Sequence, residues 1–139
     1  MRTEAILKFV KELKQTWQTK DPYKIAEIYG IKVITRNLNV GAYKAQTIKM
    51  QNYPSIISIN GLYSERARAV LCAHELGHAL LHEELVNHFD TTSKNMNTDV
   101  EYEANLFAVA LLADESKLCM PLHKLNSVAL KAIMDYNID

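Results

Sequence analysis

The chain has 139 residues, 48% of them hydrophobic and 23% charged, the size and balance of one globular domain rather than of a disordered chain. Its 16 basic residues are offset by 16 acidic ones, so bulk charge gives no reason to expect nucleic acid or an anionic membrane as a partner. The opening "MRTEAILKFV" lacks the uncharged apolar run of a signal peptide, and no stretch approaches the roughly 20 apolar residues of a membrane span. A cytoplasmic location is therefore expected, with Cys72 and Cys119 as reduced thiols.

With no repeat, low-complexity tract or linker, residues 1–139 read as a single domain. Residues 1–30 carry two helices. Ile6, Leu7, Val10, Leu13 and Trp17 recur at helical spacing over about 3–19. In "KDPYKIAEIYG", Asp21 suits an N-cap, Pro22 the first helical position and Gly30 the stop. Residues 31–60 hold three strand signals, "IKVITRN", the weaker "GAYKAQTIKM" and the strongest, "PSIISIN". Their short connections predict antiparallel pairing in a small three-stranded meander.

From Ser64, a plausible N-cap, the pattern becomes a long helix over 64–85. Val70, Leu71, Ala73, Leu76, Ala79, Leu80 and Leu81 surround it, and a helix apolar on all sides is buried on all sides. Residues 86–97 are polar and aperiodic, which predicts a loop. A second strong helix spans 98–113, with Val100, Ala104, Phe107, Ala108 and Leu111 on one face. Residues 114–139 add a short helical piece from Asp114, a break at Pro121 and a last helix from about Asn126. The expected class is α+β, a small sheet packed on a helical core.

Inside the buried helix, "AHELGH" places His74, Glu75 and His78 where unpaired polar groups cost several kcal/mol, on the order of a lost hydrogen bond or more. Buried histidines are often only satisfied core residues, and His-Glu-x-x-His occurs by chance. Here a physical reason unites the three. Residues i and i+4 on a helix have Cβ atoms about 5–6 Å apart, so both imidazoles can hold one zinc at about 2.0–2.1 Å. Glu75 projects roughly 100° further round, where it can act on a zinc-bound water as general base without ligating the metal.

A third ligand is needed. Leu81 and Glu84 stand where a metzincin carries glycine and histidine, which excludes that class. His82 falls about a turn too far along to join His74 as a ligand and is expected to pack against or hydrogen-bond the site. "VEYEAN" offers Glu101 and Glu103, about 200° apart on a helix, so only one faces the zinc. Helical phase favours Glu101, which shares a face with Asn105 and Ala108; Glu103 is the alternative. "TDVE" also fits a capping box, in which Glu101 would serve only the helix start.

Together, "SINGLYSERARAVLCAHELGHALLH" and "EYEANLFAVALLAD" closely resemble the ImmA/IrrE family of metallo-endopeptidases over residues 55–113. The resemblance implies a compact, minimal gluzincin-like α+β fold with one Zn2+ per chain, held by His74, His78 and Glu101, and Glu75 as base. It also implies a protein substrate: a helix-turn-helix repressor of a prophage, mobile element or stress regulon. The family's second segment usually ends Leu-Leu-Met-Pro, whereas this chain reads "LLAD" and has no proline stop there.

On this reading zinc polarises the scissile carbonyl, and Tyr102 or His82 is a candidate stabiliser of the developing oxyanion, with Asn105 beside the site. A substrate strand is expected to add at residues 55–60. The competing function is a zinc-stabilised anti-repressor module that grips the repressor without hydrolysing it.

Overall fold

The computed structural model describes residues 2–37, 39, 43–82 and 98–136. Helix α1 (Arg2–Trp17) buries Ile6, Val10 and Leu13, the stripe its spacing predicts. Helix α2 (Pro22–Ile28) starts with the Asp21 carboxylate accepting from Tyr23 N–H and ends at Tyr29, followed by Gly30 at φ +73°. That left-handed residue turns the chain into β1 (Lys32–Arg36).

Strands β2 (Ala45–Ile48) and β3 (Ile56–Asn60) complete a three-stranded sheet in the order β1-β3-β2. The sheet is mixed, which corrects the antiparallel expectation: β2 runs antiparallel to β3, but β1 runs parallel to it, with Val33 opposite Ile57. The physical reason is burial. Residues 57–60 are all buried, so β3, the strand most withdrawn from water, takes the centre, where both of its backbone edges are paired. A strand cannot add at residues 55–60 as the sequence suggested; the free edges of the described sheet are those of β1 and β2.

Helix α3 (Glu65–Leu81) begins at Ser64, whose hydroxyl accepts from Ala67 N–H at 3.1 Å. It is shorter than the predicted 64–85, because His82 leaves helical geometry as its C-cap. The Lys49 ammonium donates to the His82 carbonyl at 2.7 Å, a cation placed at the C-terminal end of the helix. The predicted loop at 86–97, including His88, lies outside the described residues.

Helix α4 (Thr98–Leu112) packs along α3 and also meets α1 and α5. The stop after "LL" needs no proline: Asp114 accepts from the Ser116 N–H (3.0 Å) and hydroxyl (2.7 Å), opening a 3-10 turn at Glu115–Lys117. A second 3-10 turn, Leu122–Lys124, follows Pro121, and Asn126 caps α5 (Ser127–Asp135) through Ala129 N–H at 2.8 Å. One core joins these layers, with Ile57 and Ile59 from the sheet and Leu76, Leu106, Phe107 and Leu111 from α3 and α4 fully buried. No helix among the described residues is long and apolar enough to cross a membrane.

Gly77 sets the distance between α3 and α4. A Cβ there would meet the Ala104 Cα at 3.2 Å and the Phe107 Cβ at 3.1 Å, so the helices touch backbone to backbone at this point. Gly77 lies between Glu75 and His78, and Ala104 is one turn after Glu101, so the close approach falls beside the chemistry-bearing residues.

Candidate metal centre

His74 and His78, one turn apart on α3, present their rings edge to face with centroids 4.8 Å apart. Across the α3–α4 contact, Glu101 Oε2 lies 2.9 Å from His78 Nε2 and Glu101 Oε1 lies 3.3 Å from His74 Nε2. One ligand atom from each residue falls within a set no wider than 4.8 Å. Glu101 is thus turned into the site rather than back along its own helix, which is not the capping-box arrangement. Its side chain keeps 39% of its surface accessible while His78 keeps 7%, so the cluster is walled by the core and open on one side.

Electrostatics favour positive charge here. Burial is the largest single influence and disfavours the charged His74 ring, but the Glu101 hydrogen bond, the charges of Glu75 and Glu101 and the Asn105 side chain together outweigh it; the ring's pKa is raised. Burial likewise acts against a charged Glu101, yet hydrogen bonds from His74 and His78 hold its carboxyl well below the usual carboxylate range. Two imidazole nitrogens and one carboxylate are a donor set that suits zinc. His74 Nδ1 is buried with no hydrogen-bond partner, while its Nε2 faces this cluster. These residues fit a divalent metal, and three protein donors leave a further position for substrate.

Glu75 is buried beside the cluster. The Thr47 hydroxyl on β2 sits 2.6 Å from Glu75 Oε1 and 3.1 Å from the Glu75 backbone carbonyl, while Glu75 Oε2 lies 4.0 Å from His74 Nε2. One carboxylate oxygen is held by the sheet and the other faces the histidines.

His82 is 1% exposed and reaches the cluster through His78, Nδ1 to Nδ1 at 3.1 Å. Its other nitrogen meets Glu103 Oε1 at 2.9 Å, so Glu103 faces His82 rather than joining His74 and His78. Asn105 is buried one turn after Glu101. Tyr102 turns toward the chain after Pro121, its hydroxyl donating to the Leu125 carbonyl at 3.4 Å. Cys72 is buried and its thiol is pushed up to about 12 by that burial and by the charges of Asp21 and Glu75, whereas Cys119 is exposed; both are free. The sequence reading missed Thr47 and Lys49. Both sit in or just after the weakest strand signal, and only their inward-facing polarity marks them.

The IrrE N-terminal-like domain model, Peptidase_M78, matches residues 26–136. The chain belongs to this peptidase family. Its match therefore takes in both helices of the metal centre and the whole sheet. A similar protein is the uncharacterized immunity region protein 2 of Bacillus phage phi105, 37% identical over 107 residues. That alignment covers 74% of this chain and 65% of the phage protein, so the chain accounts for slightly less than two thirds of its relative's length. No solved structure matches the chain significantly.

Proposed function

We propose that this M78-family chain is a cytoplasmic zinc endopeptidase that relieves repression by cleaving a helix-turn-helix repressor. The observation that carries the chemistry is the convergence of His74, His78 and Glu101 on one point beside a buried Glu75 with one oxygen turned toward the histidines. His74, His78 and Glu101 would hold the zinc. When bound, it supplies Lewis acidity toward a peptide carbonyl and toward water. Glu75, fixed by Thr47, takes a proton from the attacking water and returns it to the leaving amine. A substrate chain lies along β2, the sheet edge that carries Thr47. The repressor assignment draws on the phage immunity-region name of the relative, which is a statement about that protein.

Purified chain, loaded with zinc, is incubated with helix-turn-helix repressors, beginning with any encoded beside it, and fragments are mapped by mass spectrometry. Cleavage that disappears in Glu75→Gln while zinc is retained is the expected result. Relief of repression by Glu75→Gln at the wild-type level would overturn hydrolysis in favour of a non-hydrolytic anti-repressor.

A further inference from the structure

Behind the metal centre runs a chain of polar contacts that neither hydrolysis nor metal ligation by three residues requires. His78 Nδ1 meets His82 Nδ1 (3.1 Å), His82 Nε2 meets Glu103 Oε1 (2.9 Å), and Glu103 Oε2 meets Arg2 Nε (3.0 Å). Arg2 also donates through Nη2 to the Leu81 carbonyl at 3.1 Å. The path begins on the surface, where the Arg2 side chain is 55% exposed, passes the 15% exposed Glu103, and ends inside, where His82 is 1% exposed.

With both imidazoles neutral, as metal ligation by His78 requires, the direction of each hydrogen bond follows from the outer end. Arg2 can only donate, so Glu103 Oε2 accepts. An ionised Glu103 only accepts, so His82 Nε2 must carry a hydrogen. A neutral His82 then offers Nδ1 as an acceptor, and His78 Nδ1 must be the donor. With its hydrogen fixed on Nδ1, His78 would give up to a metal the Nε2 position that donates to Glu101 in the metal-free chain, presenting a lone pair at the point shared with His74 and Glu101. The backbone holds the middle link as firmly as the side chains do, since His82 N–H donates to the His78 carbonyl (3.0 Å) and Lys49 holds the His82 carbonyl (2.7 Å).

We infer that His82 and Glu103 are positioning residues for the metal: a His78–His82–Glu103–Arg2 relay sets the tautomer and ring orientation of His78 and anchors that ligand to helix α1. The inference rests on the metal reading of His74, His78 and Glu101 given above. It assigns Glu103, the alternative ligand by sequence, to a supporting contact two residues removed from the metal. Outer contacts of this kind are worth about 10–100-fold in metal affinity.

The test is zinc affinity by competition with a chromogenic chelator, run on wild type, His82→Leu, His82→Asn and Glu103→Gln. His82→Leu is expected to bind zinc about 10–100-fold more weakly. His82→Asn, whose amide oxygen can accept near the position of the imidazole Nδ1, should recover part of the loss, and Glu103→Gln should fall between wild type and His82→Leu. Wild-type affinity in a folded His82→Leu would overturn the relay. Should that variant not fold, long-range proton–nitrogen NMR on the wild-type protein decides. A hydrogen on His82 Nε2 and none on Nδ1 supports the relay, and the reverse tautomer overturns it. A wild-type chain that takes up no zinc would overturn the metal reading itself, and the relay with it.

Discussion

The Thr47 hydroxyl stands 2.6 Å from Glu75 Oε1, joining the sheet to the helix that carries both histidines. A hydroxyl bonded to a carboxylate is worth about 1.5–3 kcal/mol. Applied to Glu75 as the proposed base, this predicts that Thr47→Val lowers kcat about 10–100-fold with zinc content unchanged, while Thr47→Ser stays near wild type. Peptidase kinetics beside metal analysis check it. Loss of zinc in Thr47→Val would mean that the contact serves the fold and not the base.

Glu101 and Glu103 separate cleanly in their contacts, one with the two histidines of the cluster and the other with His82. Glu101→Gln is expected to lose stoichiometric zinc, whereas Glu103→Gln still fills with one zinc at saturating metal. Metal content after dialysis against excess zinc distinguishes them. The opposite pattern would exchange the two roles.

Gly77→Ala places a methyl against the Ala104 backbone and Phe107 at 3.1–3.2 Å, and a backbone neighbour cannot rotate away. Overpacking of this kind costs about 1–3 kcal/mol. Thermal unfolding should show that loss, and zinc affinity should fall with it, because the same helix contact brings Glu101 to His74 and His78.

The pH dependence of the metal-free protein follows from two opposite shifts. Glu101 is depressed from 4.5, so its contribution to stability is present above that value and lost as pH falls through its native pKa. His74 is raised from 6.5, so its contribution is complete below 6.5 and lost as pH rises through its native pKa. Both act together between about pH 4.5 and 6.5, and there the Tm difference between metal-free wild type and Glu101→Gln should be widest. A metal ion would displace the proton on His74, so zinc affinity should rise with pH until the raised pKa of His74 is passed and then level off, read by chelator titration at a series of pH values.

Thiol alkylation should discriminate the cysteines. Cys119 is exposed, whereas Cys72 is buried with its thiol pushed up to about 12. Iodoacetamide followed by peptide mass spectrometry is expected to label Cys119 in the native protein and Cys72 only after denaturation.

Much of this protein was legible along the chain because its information is local. Helix spacing is a property of consecutive residues, so the stripe of α1, the caps Asp21 and Ser64, the start of the last helix near Asn126, and the shared face of His74 and His78 could be read without a fold. What depends on elements distant in sequence could not. The β1-β3-β2 order was hidden because short connections favour sequential pairing, whereas burial of β3 on both edges prevailed. The end of α3 at His82 was hidden because its carbonyl is taken by Lys49, 33 residues earlier.

By itself, then, the sequence determined that two imidazoles and a glutamate share a buried helix, since an i, i+4 spacing fixes direction whatever the helix packs against. Helical phase favoured Glu101 over Glu103, but only the tertiary structure showed which carboxylate meets the imidazoles, because that depends on what faces each across the α3–α4 contact at Gly77. It likewise chose Thr47 as the partner of Glu75 and tied His82 through Glu103 to Arg2, 101 residues away from that glutamate, because hydrogen bonds between distant segments form only where packing has already brought the segments together.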